Sequence, residues 1–315
     1  MTTLQFAEPV AEGIFAIDTG YHLPRHDAAY LLVNAHRAAF IDTGTYHSVP
    51  RLLATLDDLG LARDAVDWVI PTHVHLDHAG GVGRLMGELP TARLLVHARG
   101  LRHMLDPVAL YRGAAAIYGD VEMARSYGPP IGVDAARAAP THDGLRIRVG
   151  RRELLFADTP GHALHHHCLW DEASAGWFTG DAFGISYREF DTARGAWLSP
   201  AVVPVQFDPA AMLASIERLL TMRPRGMYVT HYGRVGDVER LARQGLAMLD
   251  DMVALGRAQR HASARHARLR EGLLDLYLRS LRAHGCAMSD ATIAARLEMD
   301  LELNAQGLGI WLDRQ

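Results

Sequence analysis

Between Pro71 and Gly81 the chain reads Pro-Thr-His-Val-His-Leu-Asp-His-Ala-Gly-Gly, which puts His73, His75, Asp77 and His78 within six residues. Such a density of imidazole and carboxylate is expected where a protein grips metal ions. The preceding run Asp67-Trp68-Val69-Ile70 is a short apolar β-former stretch, and the run from Gly80 to Met86 begins as a turn and continues as a helix. The cluster therefore belongs on a strand-to-helix loop. Extended backbone points side chains two apart the same way, so His73 and His75 can converge on one ion. Asp77 and His78 follow a change of direction and suit a second ion. The bland alternative, four polar residues capping a helix, explains a lone histidine better than this grouping.

Two ions need roughly three further ligands at strand ends facing the same rim. Three segments fit. Leu154–Asp158 followed by Thr-Pro-Gly delivers His162 at a turn, Trp177-Phe178-Thr179-Gly180 delivers Asp181, and Met227-Tyr228-Val229-Thr230 delivers His231. Each alone reads as an ordinary turn residue after a strand. Their recurrence in the order His, Asp, His downstream of His-x-His-x-Asp-His is the informative part.

On these motifs the chain resembles the metallo-β-lactamase-like hydrolase superfamily, over about Gly13 to Gly233. The resemblance implies that His73, His75 and His162 hold one ion and Asp77, His78 and His231 the other, with Asp181 bridging them. Five neutral imidazoles and two carboxylates leave such a pair of divalent cations positively charged. Two ions about 3.5 to 4 Å apart would activate a shared water as nucleophile and stabilise the oxyanion it forms. All-N/O ligation suits Zn²⁺ first, with Fe, Mn, Co or Ni also compatible. Asp77 is expected to serve both as ligand and as catalytic general acid/base. Asp42, in Phe40-Ile41-Asp42-Thr43-Gly44, matches the superfamily's Asp-Thr-Gly segment and is expected to orient a ligand loop through hydrogen bonds; an Asx-turn is the plainer alternative.

With 315 residues, 49% of them hydrophobic, the chain can bury a large core. Its net charge of −4 carries no electrostatic footprint for nucleic acid, so a small-molecule substrate is the expected partner. No apolar run is long enough for a bilayer, and Met1 to Pro9 lacks a charged region followed by an apolar one, so a cytoplasmic protein without membrane association is expected. Cys168 and Cys286 lie far apart and form no ligand pair.

The organisation expected is α/β: a four-layer αββα sandwich over residues 1–236 and a helical C-terminal extension over 237–315 packed on it. Strand signals come in quick succession near Gly13–Ile17, Ala29–Val33 and Ala39–Ile41, and a helix is expected from Val49 to Leu59. Leu101 to Tyr127 reads as helix, with Pro107 as a start and Gly128-Pro129-Pro130 as a stop. The loop from Gly184 to Pro204, with Tyr187, Arg188, Phe190 and Trp197, is a candidate substrate wall. His261 to His284 interleaves Arg with Leu269, Leu273, Leu274, Leu276, Leu278 and Leu281, as an amphipathic helix packed on the core does, a basic nucleic-acid arm being the sharper alternative; the appendage from Asp237 onward is a candidate to lid the site or to mediate self-association.

His165, His166 and His167 are expected in the pocket wall or behind the ligands, as is His97. Tyr21, His22, Tyr111 and Tyr118 are candidates for the substrate side. Departures from named branches narrow the activity. Asp181 stands where dinuclear β-lactamases place Cys, His75 is intact where flavodiiron proteins have Glu, and Gly184 replaces a tyrosine of the quorum-signal lactonases, for which Tyr187 would substitute only if its loop folds back. Glyoxalase-II-like thioesterases share all seven ligands and a helical C-terminal extension, and the run Gln206-Phe207-Asp208-Pro209 resembles a little-characterised prokaryotic branch. The expected function is a dinuclear metal-dependent hydrolase of a small ester, lactone or thioester using a metal-bridged hydroxide. The alternatives are a single-iron oxidoreductase like the persulfide dioxygenases and a non-catalytic metal-binding protein.

Overall fold

The alternation of side chains along the early strands builds two cores at once. In the computed structural model, which describes residues 4–315, Ala28, Tyr30 and Leu32 face one core while Ala29, Leu31 and Val33 face the other. Met1–Thr3, which open the segment read above for a leader, lie outside the described residues.

The first sheet has the order of the chain itself: β1 (Ala7–Ala11), β2 (Ile14–Asp18), β3 (Ala28–Asn34), β4 (Arg37–Ile41), β5 (Val66–Ile70), β6 (Arg93–His97) and β7 (Ala138–Thr141). β1 to β4 form an antiparallel meander, and β4 to β7 pair in parallel through helical crossovers. The second sheet has the order β13 (Gly233–Val235), β12 (Gly226–Val229), β11 (Gly176–Gly180), β10 (His167–Asp171), β9 (Arg152–Asp158) and β8 (Arg146–Val149).

One core lies between the sheets. It joins Tyr30, Ala39, Ile41 and Ile70 to Leu154, Phe156, Leu169, Phe178 and Tyr228, with the Phe178 and Tyr228 rings stacked at 4.6 Å. The other core covers the outer face of the first sheet, where Leu31, Phe40 and Val69 meet Val49, Leu52 and Leu56 of the helix Val49–Asp58 and Leu85 and Met86 of the helix Val82–Glu88. The result is the mixed α/β fold with two sheets and helices that the patterning implies, and the C-terminal helices are present. Among the described residues no helix is long and apolar enough to cross a membrane.

By Cα proximity the chain divides into two compact units: Met1–Asp158, His165–Gly180 and Gly226–Arg234 form one, and Thr159–Leu164, Asp181–Arg225 and Val235–Gln315 the other. Within the second unit the helix Arg265–His284 buries Leu269, Leu273, Tyr277 and Leu281, a strict four-residue stripe. Leu274, Leu276 and Leu278 are only partly buried on its flanks, because the 100° step carries them off the buried face.

The stretch from Leu101 to Tyr127 is helical with a helix starting after Pro107, as expected, and it is further divided at Gly119. Leu101–Leu105 ends before Pro107, which lacks an N–H to continue it; Val108–Tyr118 ends at Gly119, whose φ of +82° no helix accepts; a short turn and a π-helical turn, Met123–Tyr127, complete the segment.

A buried ion pair ties the second sheet to the amino-terminal hairpin. Arg152 Nε donates to Asp171 at 2.6 Å, and its Nη1 donates to the Glu12 carbonyl, also at 2.6 Å. Burial alone would push the Asp171 carboxyl up, but hydrogen bonds from Arg152 and Ser174 outweigh it and hold the carboxyl below its ordinary value. Arg152→Ala leaves that carboxylate buried and is expected to cost about 3–5 kcal/mol in urea unfolding. Because the folded-state value is depressed, the pair's contribution is complete above the unfolded carboxyl's titration near ~3.9 and is lost as pH falls through the lower folded value. The gap between variant and parent should close over that acidic range.

Candidate metal centre

β5 ends at Ile70, and Pro71 directs the chain into an extended loop before a single helical turn, Leu76–Ala79. His73 and His75 lie on the extended part. Their rings meet edge to face, with His73 Nε2 and His75 Nδ1 2.9 Å apart, as the two-residue period requires. Asp77 and His78 lie on the turn. They converge on each other and on His231, which follows β12, and one ligand atom from each of the three lies within 4.8 Å of the others.

Asp42 organises this loop. It follows β4 in the left-handed region, φ +57°, a conformation an aspartate tolerates better than most side chains. Its fully buried carboxylate accepts from the Thr72 amide at 2.6 Å, the Thr72 hydroxyl at 2.9 Å, His78 Nδ1 at 2.9 Å and the Thr230 hydroxyl at 2.8 Å. Thr72 precedes His73 and Thr230 precedes His231, so one carboxylate fixes three of the ligand segments. Gly180 permits the arrangement. Its φ is +46°, and a Cβ there would stand 2.5 Å from Thr72 Oγ1 and 2.7 Å from His166 Nε2.

His162 and Asp181 belong to the second unit and face each other, His162 Nε2 lying 3.4 Å from Asp181 Oδ2. The turn before His162 requires Gly161, at φ +130°, because a Cβ would fall 2.3 Å from the Met212 backbone. Ser215 holds the same turn by donating to the Pro160 carbonyl at 2.6 Å.

Three imidazoles share one orientation. His78 Nδ1 is anchored on Asp42 at 2.9 Å, His162 Nδ1 on the Ala201 carbonyl at 2.9 Å and His231 Nδ1 on the His26 carbonyl at 3.2 Å. Anchoring the Nδ1–H turns the Nε2 lone pair into the cation-binding one. Each Nε2 then faces a carboxylate oxygen: His78 to Asp77 at 3.6 Å, His231 to Asp77 at 3.5 Å, His162 to Asp181 at 3.4 Å. These separations are too long for N–H···O bonds, yet two ligands on a tetrahedral ion with bonds near 2.1 Å lie about 3.4 Å apart. Lone pairs facing carboxylates at that spacing repel unless a cation lies between them, so the residues fit a metal.

His166 and His165 lie beside the first ligand, His166 stacked on His73 at 4.9 Å, and the Val74 amide donates to His165 Nδ1 at 3.4 Å. His167, the first residue of β10, instead bonds Thr141 Oγ1 at 2.9 Å, and burial pushes its imidazole down to about 3, so it is neutral. Burial also lowers His97, against the opposing pull of Asp158 at 3.6 Å. Tyr21 stands closer to the centre. Its ring lies 5.9 Å from that of His26, which lies 5.6 Å from that of His231, and its hydroxyl bonds that of Tyr127. Tyr187 is committed elsewhere, donating to Asp300 at 3.2 Å with Arg296 over its ring, and Trp197 donates to Ser280 at 2.9 Å. The stretch from Gly184 to Pro204 thus forms core against the C-terminal helices of its own unit. His26, Thr72 and Thr230 carry no signal as single residues; the repeated Thr-His pair at 72–73 and 230–231 is the available one.

The model of the metallo-beta-lactamase superfamily matches residues 23–231. The chain belongs to that family. A metallo-beta-lactamase fold-containing protein of Sulfurisphaera tokodaii is 22% identical over 227 residues, 71% of this chain and 79% of that protein. A human acyl-coenzyme A thioesterase is 27% identical over 236 residues, 69% of this chain and 76% of the thioesterase. A metallo-beta-lactamase family protein of Thermus thermophilus superposes with a TM-score of 0.68 at 22% identity, over 97% of this chain and 95% of that one, which establishes likeness of fold.

Removing the Asp42 carboxylate should release His78 and both threonine anchors together. Asp42→Ala is therefore expected to lower metal affinity by about 10- to 100-fold in competition against a chelator, and to lower the thermal midpoint of the metal-free protein as well.

Proposed function

We propose that this superfamily member is a dinuclear metal-dependent hydrolase of a small carbonyl substrate, an ester, lactone or thioester. His73, His75 and His162 would hold one ion and Asp77, His78 and His231 the other, with Asp181 shared between them. Zinc is the first choice for this all-N/O set, with iron or manganese next. The observation that carries the reading is the common orientation of His78, His162 and His231, each anchored at Nδ1 and facing a carboxylate across 3.4 to 3.6 Å. Family membership and the human relative's description as a thioesterase support the class of bond.

Two bound divalent ions would supply an activated water and polarise the carbonyl. The protein's own groups do the rest. The Asp77 side chain is 23% exposed beside a fully buried His78, so it alone of that pair reaches the open side, where it can take a proton from the nucleophile and return it to the leaving group. Asp42, the Ala201 carbonyl and the His26 carbonyl keep three imidazoles in the ligating tautomer.

Purified protein is expected to contain about two ions per chain and to hydrolyse esters, lactones or thioesters in a manner abolished by chelation and restored by metal. Asp181→Ala should lower metal content below two ions per chain and reduce turnover by at least about 100-fold. Unchanged turnover in Asp181→Ala would sink the dinuclear mechanism, and one iron per chain with thiol-dependent oxygen uptake would replace it with a dioxygenase.

A further inference from the structure

The helix Val108–Tyr118 has a composition made for burial that its own chain does not provide. It reads Val-Ala-Leu-Tyr-Arg-Gly-Ala-Ala-Ala-Ile-Tyr, with one charge in 11 residues, yet only Tyr111 is buried. A helix apolar on nearly every side belongs inside a structure. Of the nine large apolar side chains exposed among the described residues, Val108, Ile117, Val121 and Ile131 lie on this helix and the turns around it, Val121 at 85%. Exposed apolar surface gathered in one place marks where something binds.

The face carries both a socket and a knob. The socket is a cleft of about 510 Å³ walled by Val108, Tyr111, Ala115, Met123, Pro129 and Pro130. Tyr111 and Met123 belong to a buried cluster with Tyr21, Leu76 and Tyr127, so the cleft is floored by packed side chains and opens outward, away from the metal centre. The knob is Val121, which follows Asp120 of the cleft lining and projects into solvent. Such a face is complementary to itself: about a two-fold axis, the knob of each copy meets the socket of the other.

Charge says which partner. Arg112 and Asp120 both line the cleft and both are exposed, and among the described residues neither makes an ion pair or side-chain hydrogen bond within the chain. Their neighbours are already engaged: Arg125 pairs with Glu122 at 2.6 Å, and Asp106 accepts from the Val108 amide at 3.1 Å. One unspent cation beside one unspent anion does not select nucleic acid or an anionic lipid surface, which want an excess of positive charge. It matches a surface that also carries one of each, and a second copy of this chain is such a surface. Across a two-fold axis Arg112 of one copy faces Asp120 of the other, twice, around an apolar centre, which is the anatomy of a protein interface.

We infer that two copies of the chain associate through this face about a two-fold axis, with Val121 of each seated in the cleft of the other and Arg112 paired with Asp120 across the interface. The association buries the helix that the single chain leaves bare. It goes beyond the hydrolase reading and does not rest on it.

The test is the mass of the metal-loaded full chain in solution, measured by sedimentation velocity and light scattering. The parent should run at twice the chain mass. Val121→Asp, Arg112→Asp and Asp120→Arg, all at exposed positions, should each raise the dissociation constant at least about tenfold and leave the circular dichroism of the chain unchanged. Mixing Arg112→Asp with Asp120→Arg in equal amounts should restore the doubled mass, because each chain then offers the charges the other lacks; a role for either residue within its own chain is not rescued by mixing. A parent that runs at the mass of one chain at about 100 μM would overturn the inference, and if that monomer floats with phosphatidylcholine vesicles unless Val121→Asp is present, the face belongs to a membrane instead. A dimeric parent whose mass is indifferent to all three substitutions would place the contact elsewhere and overturn it as well. Charge reversals without effect, or monomeric even when mixed, would overturn the paired geometry.

Discussion

The Asp42 carboxylate is the interaction on which the ligand loops depend. It sits at the end of a central strand, is shielded from solvent, and gathers donors from the loop after β5, the helical turn that follows and the loop after β12. A buried carboxylate with four donors is stable only while all are in place, because each lost partner exposes part of its desolvation cost. The same requirement explains its left-handed backbone, which turns the side chain under the ligand loop.

The imidazoles that could bind an ion are oriented by protein acceptors. A histidine left to rotate would offer either nitrogen; one whose Nδ1–H is committed to a carboxylate or carbonyl offers Nε2 alone. His78, His162 and His231 are each held this way by a different acceptor. The neighbouring histidines show that residue type does not decide the role. His167 is buried, neutral and turned to Thr141, whereas His166 stacks on His73.

Much of the scaffold was legible because periodicity is local. The strands from Ile14 to Ile41 and the helix Val49–Asp58 fall within a residue or two of where alternation and helical spacing put them. Within the helical stretch from Leu101 to Tyr127 the start after Pro107 was legible, but the break at Gly119 was not, since a Gly inside apolar sequence can either be tolerated in a helix or end it. Tyr187 and Trp197 looked like pocket residues on composition alone, yet Asp300 and Ser280, about a hundred residues downstream, claim their polar atoms.

The amino-acid sequence by itself determined the family, the two-sheet α/β class and the candidate ligands, because strand ends, turn breakers and the His-x-His-x-Asp-His run are written in consecutive residues. Tertiary structure alone decided which nitrogen His78, His162 and His231 present and that Asp42 ties three loops. Those outcomes turn on contacts such as Thr230 with Asp42, 188 residues apart, and no local pattern encodes the partner of a hydrogen bond closed across a fold.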